Sequence, residues 1–184
     1  MTVQYHFSTI DSTNAYAKRN ISLFNKDILS LVTADEQTAG RGRYAKSWHS
    51  PKGENIYATY VFFSKQEVDQ AHLVQLLAKT AVQTLEHYKV FATIKWPNDL
   101  LIDGKKIAGI LIEVVDDCII MGIGLNINMN ENSLALIDQK ATSLFLETGA
   151  MHPPKEVLNL LTKFLQTTLF KFGNDNDVRV NLSL

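Results

Sequence analysis

Three apolar runs separated only by tight-turn pairs constrain this chain more than any other feature. Leu100 to Ile102 is followed by Asp103-Gly104, Lys106 to Val115 by Asp116-Asp117, and Cys118 to Asn128 completes the set. An Asp-Gly pair suits a type I′ turn, whose twist matches that of the strands it joins. Strands connected this way lie side by side, so the sheet is at least partly antiparallel. Further strands are expected at Gln4 to Ser8, Ile28 to Thr33, Asn55 to Phe63 (NIYATYVFF) and Thr93 to Trp96, the last stopped by Pro97. Asp11-Ser12-Thr13-Asn14 offers caps for a helix carrying Ala15, Tyr16 and Ala17. Asp69 caps a longer helix through about Tyr88, with Leu73, Leu76, Leu77, Thr80, Ala81, Thr84 and Leu85 on one face. A short helix is expected over Ala141 to Glu147, stopped near Gly149. Pro153-Pro154 then opens a last helix with Val157, Leu161, Phe164, Leu165, Thr168 and Phe172 inward, and Gly173 to Leu184 read as a turn-like peripheral tail. The reading is an α+β fold: one domain over residues 1–184, with a mixed, largely antiparallel sheet and packed helices.

Composition narrows the function classes. A chain of 184 residues that is 46% hydrophobic can bury a sizeable core. Lys and Arg total 18 against 19 acidic residues, a net charge of −1, so no bulk attraction to DNA or to an anionic membrane is expected. Any phosphate chemistry must use local positive charge. A lone cysteine, Cys118, cannot form an internal disulfide and suits a reducing compartment. The five histidines form no metal-ligand spacing. No secretory signal opens the chain and no apolar run approaches the roughly 20 residues of a membrane span, so a cytoplasmic protein is expected.

Three segments are over-specified for packing. In Gln37-Thr38-Ala39-Gly40-Arg41-Gly42-Arg43, running on to Trp48, glycines let the backbone approach a ligand and arginines offer fixed donor forks for carboxylate or phosphate. The plain alternative is a flexible basic loop, and neither common nucleotide motif is present. Lys95-Trp96-Pro97-Asn98-Asp99 puts a cation, an amide and a carboxylate at a strand end. There Asp99 can hold Mg2+, or merely cap a turn while Trp96 fills the core. Lys106 to Gly109 and the strand Gly122-Ile-Gly-Leu-Asn126 form the third. Gly122 and Gly124 share a face, leaving a strip without side chains, and Asn126 continues it. A β-bulge beside a buried asparagine is the alternative. Together the segments describe a site for an anionic ligand beside a glycine-floored slot.

The same segments, GRGR…W, KWPND, K-x-x-G-I-L at Lys106 to Leu111, and GIGLN, with Ser12-Thr13-Asn14 upstream, resemble the catalytic core of bacterial biotin–protein ligases in order and spacing. The resemblance covers about residues 5–172. It implies a two-step reaction: biotin and Mg-ATP give biotinyl-5′-AMP and pyrophosphate, then a carrier lysine takes the biotinyl group. It also implies roles. Ser12, Thr13 and Gln37 resemble the polar wall around biotin's ureido ring. Gly40, Arg41, Gly42 and Arg43 resemble the loop that closes over biotin and adenylate, with Lys46 and Trp48 near the nucleotide. Lys95, Asn98 and Asp99 look like nucleotide and metal contacts, Asp99 being the metal ligand. Lys106 is similar to the lysine bridging biotin's carboxylate and the α-phosphate. Gly109, Gly122 and Gly124 resemble the floor of the biotin slot, and Asn126 the adenine-facing amide. The implied partner is the biotin carboxyl carrier protein domain of a biotin-dependent carboxylase, with a homodimer left open.

This chain departs from the pattern in places. Ala45 stands where a glycine is expected, Lys46 where arginine is common, and the Asn130 to Leu136 region lacks the tryptophan that stacks on adenine in some members. An aliphatic residue there can partly replace it. Neither an N-terminal DNA-binding domain nor a C-terminal small β-barrel is expected, which argues against a repressor role. Two other functions fit the resemblance less well. A lipoate or octanoate ligase or transferase needs a longer apolar slot and no ureido partners, and a silent biotin-binding module has no use for Lys95, Asp99 and Lys106.

Overall fold

The computed structural model describes residues 2–176. Seven strands form one sheet, in the order β1 (Thr2–Phe7), β2 (Leu29–Ala34), β3 (Asn55–Phe63), β7 (Cys118–Asn126), β6 (Lys105–Val115), β5 (Asp99–Ile102) and β4 (Thr93–Lys95). Only β1 and β2 pair in parallel; every other pair is antiparallel. The meander coded by the two turn pairs is β5–β6–β7. Its first turn has Asp103 and Gly104 both left-handed, at φ 48° and 76°, as a type I′ turn requires.

Alternation along the central strands divides the molecule into two layers. Ile56, Ala58, Tyr60 and Phe62 of β3, with Ile119, Met121, Ile123 and Leu125 of β7, meet α2 (Gln70–His87) and α5 (Pro154–Asn176) in the main core. The expected stripe of α2, from Leu73 to Leu85, is buried throughout. Its two threonines satisfy themselves, Thr80 and Thr84 donating to the carbonyls of Leu76 and Thr80. On the other face Val61, Phe63, Cys118 and Ile120 pack with Val32, and with Ala17 of α1 (Thr13–Arg19). Because β3 is buried on both faces, it reads as a continuous apolar and aromatic run. The helix on this second face is short, so beyond it the sheet is covered by loops, and the candidate site lies there.

The structure amends the sequence reading in four places. The parallel β1–β2 pair uses α1 as its crossover, which no local pattern signals. A single turn, α3 (Glu131–Leu134), interrupts the polar stretch after Asn128, capped by the Asn130 side chain. The helix expected from Ala141 starts later, as α4 (Leu144–Thr148), because the Ser143 hydroxyl accepts from the Leu146 amide; Gly149 ends it at φ 72°. Finally, α5 continues to Asn176, so Gly173 is helical; residues 177–184 of the expected tail and the Phe172 side chain lie outside the described parts. Within α5, Leu158 and Leu169 join Val157, Leu161 and Leu165 in the core, while Phe164 and Thr168 are only half-buried.

Candidate active site

A cavity of about 540 Å³ opens on the loop-covered face. Of the residues singled out from sequence, Ser12, Thr13, Gln37, Arg41, Gly42, Arg43, Lys46, Trp48, Asn98, Asp99, Lys106, Gly109, Gly122 and Gly124 line it. Segments spread from residue 12 to residue 124 thus converge on one space.

Register explains the floor. Gly124 lies opposite Gly109 on β6, Gly109 opposite Asp99 on β5, and Asp99 opposite Lys95 on β4. Gly124, Gly109 and Asp99 of this row line the cavity. The strip is not left bare, contrary to the sequence expectation. A Cβ on Gly124 would lie 2.3 Å from the Trp48 ring, and one on Gly109 would lie 2.8 Å from it. A Cβ on Gly122 would lie 2.0 Å from Asn14 Oδ1. The glycines therefore admit an indole and an amide against the sheet, and these two groups finish the wall.

The loop from Gly40 to Trp48 is a closed flap. Trp48 N–H donates to the Gly40 carbonyl at 2.9 Å and Gly42 N–H to the Lys46 carbonyl at 2.7 Å. At its neck a Cβ on Gly40 would lie 2.5 Å from the Trp48 carbonyl oxygen, so only glycine fits. Arg41 and Arg43 ride on the flap beside the exposed Tyr44.

Lys106 sits at the deep end of this flap. Its Nζ lies 2.8 Å from Asp99 Oδ1 and 5.2 Å from the centroid of the Trp48 ring. The Asp99 contact is an ion pair, and the Oδ1 atom it holds is buried. With the Lys106 side chain 13% exposed and that of Asp99 21%, water screens this pair poorly. Arg41, Arg43, Lys46 and Lys106 face two carboxylates, Asp99 and Asp138, so the wall is locally cationic in a chain of net charge −1.

The opposite end is a hydrogen-bonding wall. Gln37 Oε1 accepts from the Thr13 N–H (2.9 Å) and hydroxyl (3.2 Å), while Gln37 Nε2 donates to Ser50 Oγ at 3.0 Å. Ser12 caps α1 with its hydroxyl and still lines the cavity, so capping and site-lining coexist. The neighbouring Arg19 guanidinium, bonded to Asp11 at 2.7 Å, holds that carboxyl below its usual range.

Gly40, Lys95 and Asn126, expected in the site, do not line the cavity. Gly40 serves the flap's neck. Lys95 shares the face of Asp99 but stands one strand farther out, exposed at the sheet edge. Asn126 is 2% exposed, sealed under the 140–143 segment with its Nδ2 donating to the Thr142 carbonyl. Asn98 is present, and one of its amide N–H groups donates to the Ile110 carbonyl, tying the KWPND corner to β6. Trp96 does not fill the core; it is 55% exposed.

The cavity also includes residues that sequence reasoning missed. Asn14 was noted within the Ser12-Thr13-Asn14 run but given no role in the site. His49, Leu136, Ile137, Asp138 and Gln139 come from segments without a distinguishing pattern, although Leu136 and Ile137 are the aliphatic kind expected in place of a stacking tryptophan.

A thiolate nucleophile and a metal cage built wholly from side chains find no support in the described residues. Burial pushes the Cys118 thiol up to about 11, and it lies in the second-face core rather than in the cavity, so no thiolate nucleophile serves the site. Among the described residues no group of three or more His, Cys, Asp or Glu side chains comes together. The lone Asp99 carboxylate fits Mg2+ only when phosphate oxygens and water complete the shell.

Fold and site together define a sheet-floored pocket with a cationic end and a hydrogen-bonding end. The sequence pattern of the Biotin/lipoate A/B protein ligase family matches residues 6–130, and the chain belongs to that family. It is 41% identical over 128 residues to the bifunctional ligase/repressor BirA of Bacillus subtilis, a match covering 65% of this chain and 39% of that protein. It is 33% identical over 163 residues to the biotin–[acetyl-CoA-carboxylase] ligase of Paracoccus denitrificans, covering 82% of this chain and 66% of the other. The biotin protein ligase of Aquifex aeolicus, solved in complex with biotin and ATP, superposes with a TM-score of 0.80 at 31% identity, covering 92% of this chain and 71% of that one. The α+β fold with a mainly antiparallel sheet is that of these neighbours. The chain spans about two fifths of the length of its BirA relatives.

Proposed function

We propose that this chain activates biotin with ATP and transfers it to a lysine of a biotin carboxyl carrier protein domain. One observation carries the reading. A single cavity joins the Thr13–Gln37 wall, which can pair with a ureido ring, to a cationic end built from Lys106, Arg41 and Arg43.

In the first step a biotin carboxylate oxygen bonds to the α-phosphorus of ATP, the bond from that phosphorus to the β-bridging oxygen breaks, and pyrophosphate leaves. Lys106 stands where the two anions meet, so its charge lowers their repulsion and remains with the charge as it moves. Asp99, together with phosphate oxygens of the nucleotide, would hold Mg2+, which would supply further neutralisation of the triphosphate. In the second step the acceptor lysine, as the free amine, attacks the acyl carbon. The bond to the AMP oxygen breaks, AMP leaves, and the amine nitrogen loses a proton. Neither step needs a covalent enzyme intermediate, so positioning and water exclusion are the protein's main contributions. The net charge gives no case for DNA binding. A cytoplasmic setting, with ATP and the carrier at hand, completes the proposal.

The decisive test is a calorimetric competition. Biotin is expected to bind, and lipoate, which leaves the Thr13 and Gln37 partners unpaired, to bind at least about tenfold more weakly. Chelating Mg2+ should stop pyrophosphate release while biotin still binds. Tighter binding of lipoate or octanoate would overturn the substrate assignment and favour the acyl-ligase reading.

The flap makes a separate prediction. Arg41→Ala is expected to let the activated intermediate escape, so that unrelated proteins become labelled on lysine. Incubating the variant with biotin, Mg-ATP and a non-carrier protein measures this directly; strictly carrier-specific labelling would count against retention by the flap.

A further inference from the structure

Lys106 stands where β6 runs past the end of its neighbour. Pairing between β6 and β7 stops at Ala108 and Leu125. On the other side the β5 register slips between Leu100 and Leu101, leaving Ile107 as the extra residue of a bulge. A bulge bends its strand and re-aims the side chains beside it, so the direction of Lys106 depends on further support. The segment 140–142 supplies that support. The Lys106 N–H donates to the Lys140 carbonyl and the Lys106 carbonyl accepts from the Thr142 N–H, both at 2.9 Å. The two bonds make a short parallel bridge to Ala141.

A carboxylate outside the cavity fixes that bridge. Glu147 of α4 accepts from the hydroxyl of the fully buried Thr142, and the same Oε1 lies 3.5 Å from Lys105 Nζ. One oxygen therefore holds both the residue that precedes Lys106 in the chain and the residue that grips the Lys106 carbonyl. The Glu147 side chain is 19% exposed, so water competes poorly for these contacts. Asn126 steadies the Thr142 carbonyl from the end of β7, and Glu147 ties Thr142 to Lys105. We propose that Glu147 is a positioning residue for Lys106: it clamps the main chain on both flanks of that lysine and so fixes where the Lys106 ammonium stands. Placement matters to the rate, because a shift of about 1 Å in a group that acts on the reacting atoms can cost about 10²-fold. The inference rests on the reading of Lys106 given above and deepens it by naming what holds that charge in place.

The test is a double-mutant cycle on biotin-dependent pyrophosphate release by the full chain. Glu147→Ala should lower the maximal rate about tenfold, while biotin affinity, read by calorimetry, changes less than about twofold. Glu147→Gln keeps an acceptor for the Thr142 hydroxyl and should stay within about threefold of the unaltered chain. The deciding measurement adds Glu147→Ala to Lys106→Ala. With no ammonium left to position, the second change should cost less than about twofold. Thr142→Val removes the hydroxyl and keeps the shape. It should show a smaller loss with the same dependence on Lys106, which gives a reading even if Glu147→Ala folds poorly. A merely structural role, or one exerted through the cavity residues 136–139 just before the bridge, would lower the rate by the same factor with or without Lys106. That result, or full activity of Glu147→Ala, overturns the inference while the biotin reading stands. Unchanged turnover in Lys106→Ala alone overturns the reading beneath it.

Discussion

Lys106→Ala is expected to lower biotin-dependent pyrophosphate release by about 10²- to 10³-fold, the loss typical of removing one donor from developing charge. Biotin affinity should change far less. The Lys106 ammonium lies beside Asp99 in the free protein, so a ligand carboxylate gains only part of that charge on binding. The full benefit appears when the carboxylate and the α-phosphate approach each other. A loss confined to the rate marks an interaction made mainly in the transition state. Comparing turnover with calorimetric biotin binding separates the two quantities, and unchanged turnover in the variant would sink the mechanism. The substitution also leaves the half-buried Asp99 without its ion-pair partner, so a thermal melt of the variant belongs beside the rate.

Gly122→Ala should be among the most damaging single-methyl changes in the molecule. The new Cβ would stand 2.0 Å from Asn14 Oδ1, and Asn14 cannot retreat without leaving its partners on β3 and β6. Overpacking of this kind costs about 1–3 kcal/mol. Displacing the amide strands buried donors and acceptors for about 1–3 kcal/mol more. A denaturation midpoint shifted at constant slope is the expected signature. Because the methyl and the amide compete for one space, Asn14→Ala should recover part of the loss when combined with it. Additive losses in that double variant would show that the close approach is not what makes glycine necessary.

The parts of this fold that sequence made legible are those encoded over a few residues. Asp103-Gly104 specifies its turn because both positions need positive φ, and the leucines of α2 specify its buried face by their spacing. Most of the cavity's residues were legible too, since Arg41 to Arg43, Lys106 and Gly122 to Gly124 are odd choices for packing alone. Their placement was less so. Lys95 and Asn126 were expected in the cavity, yet strand register sets the first beyond its rim and the 140–143 segment seals the second. Asn14 was read as a candidate cap and as part of the Ser12-Thr13-Asn14 element, without a role of its own, because nothing near it in the chain shows what its side chain would meet.

The sequence by itself determined the meander, the amphipathic helix, the alternation that puts Gly122 and Gly124 on one face, and the kind of charge available to a ligand. These follow from turn chemistry and from the periods of strands and helices, which act between neighbours. Only the tertiary structure decided what covers those glycines, which carboxylate Lys106 meets, and that β1 runs parallel to β2. Such choices depend on groups far apart in the chain, as with Asn14 and Leu111, 97 residues distant. Contacts at that separation are selected by how whole layers pack and by the need of every buried polar atom for a partner, which no short window of sequence contains.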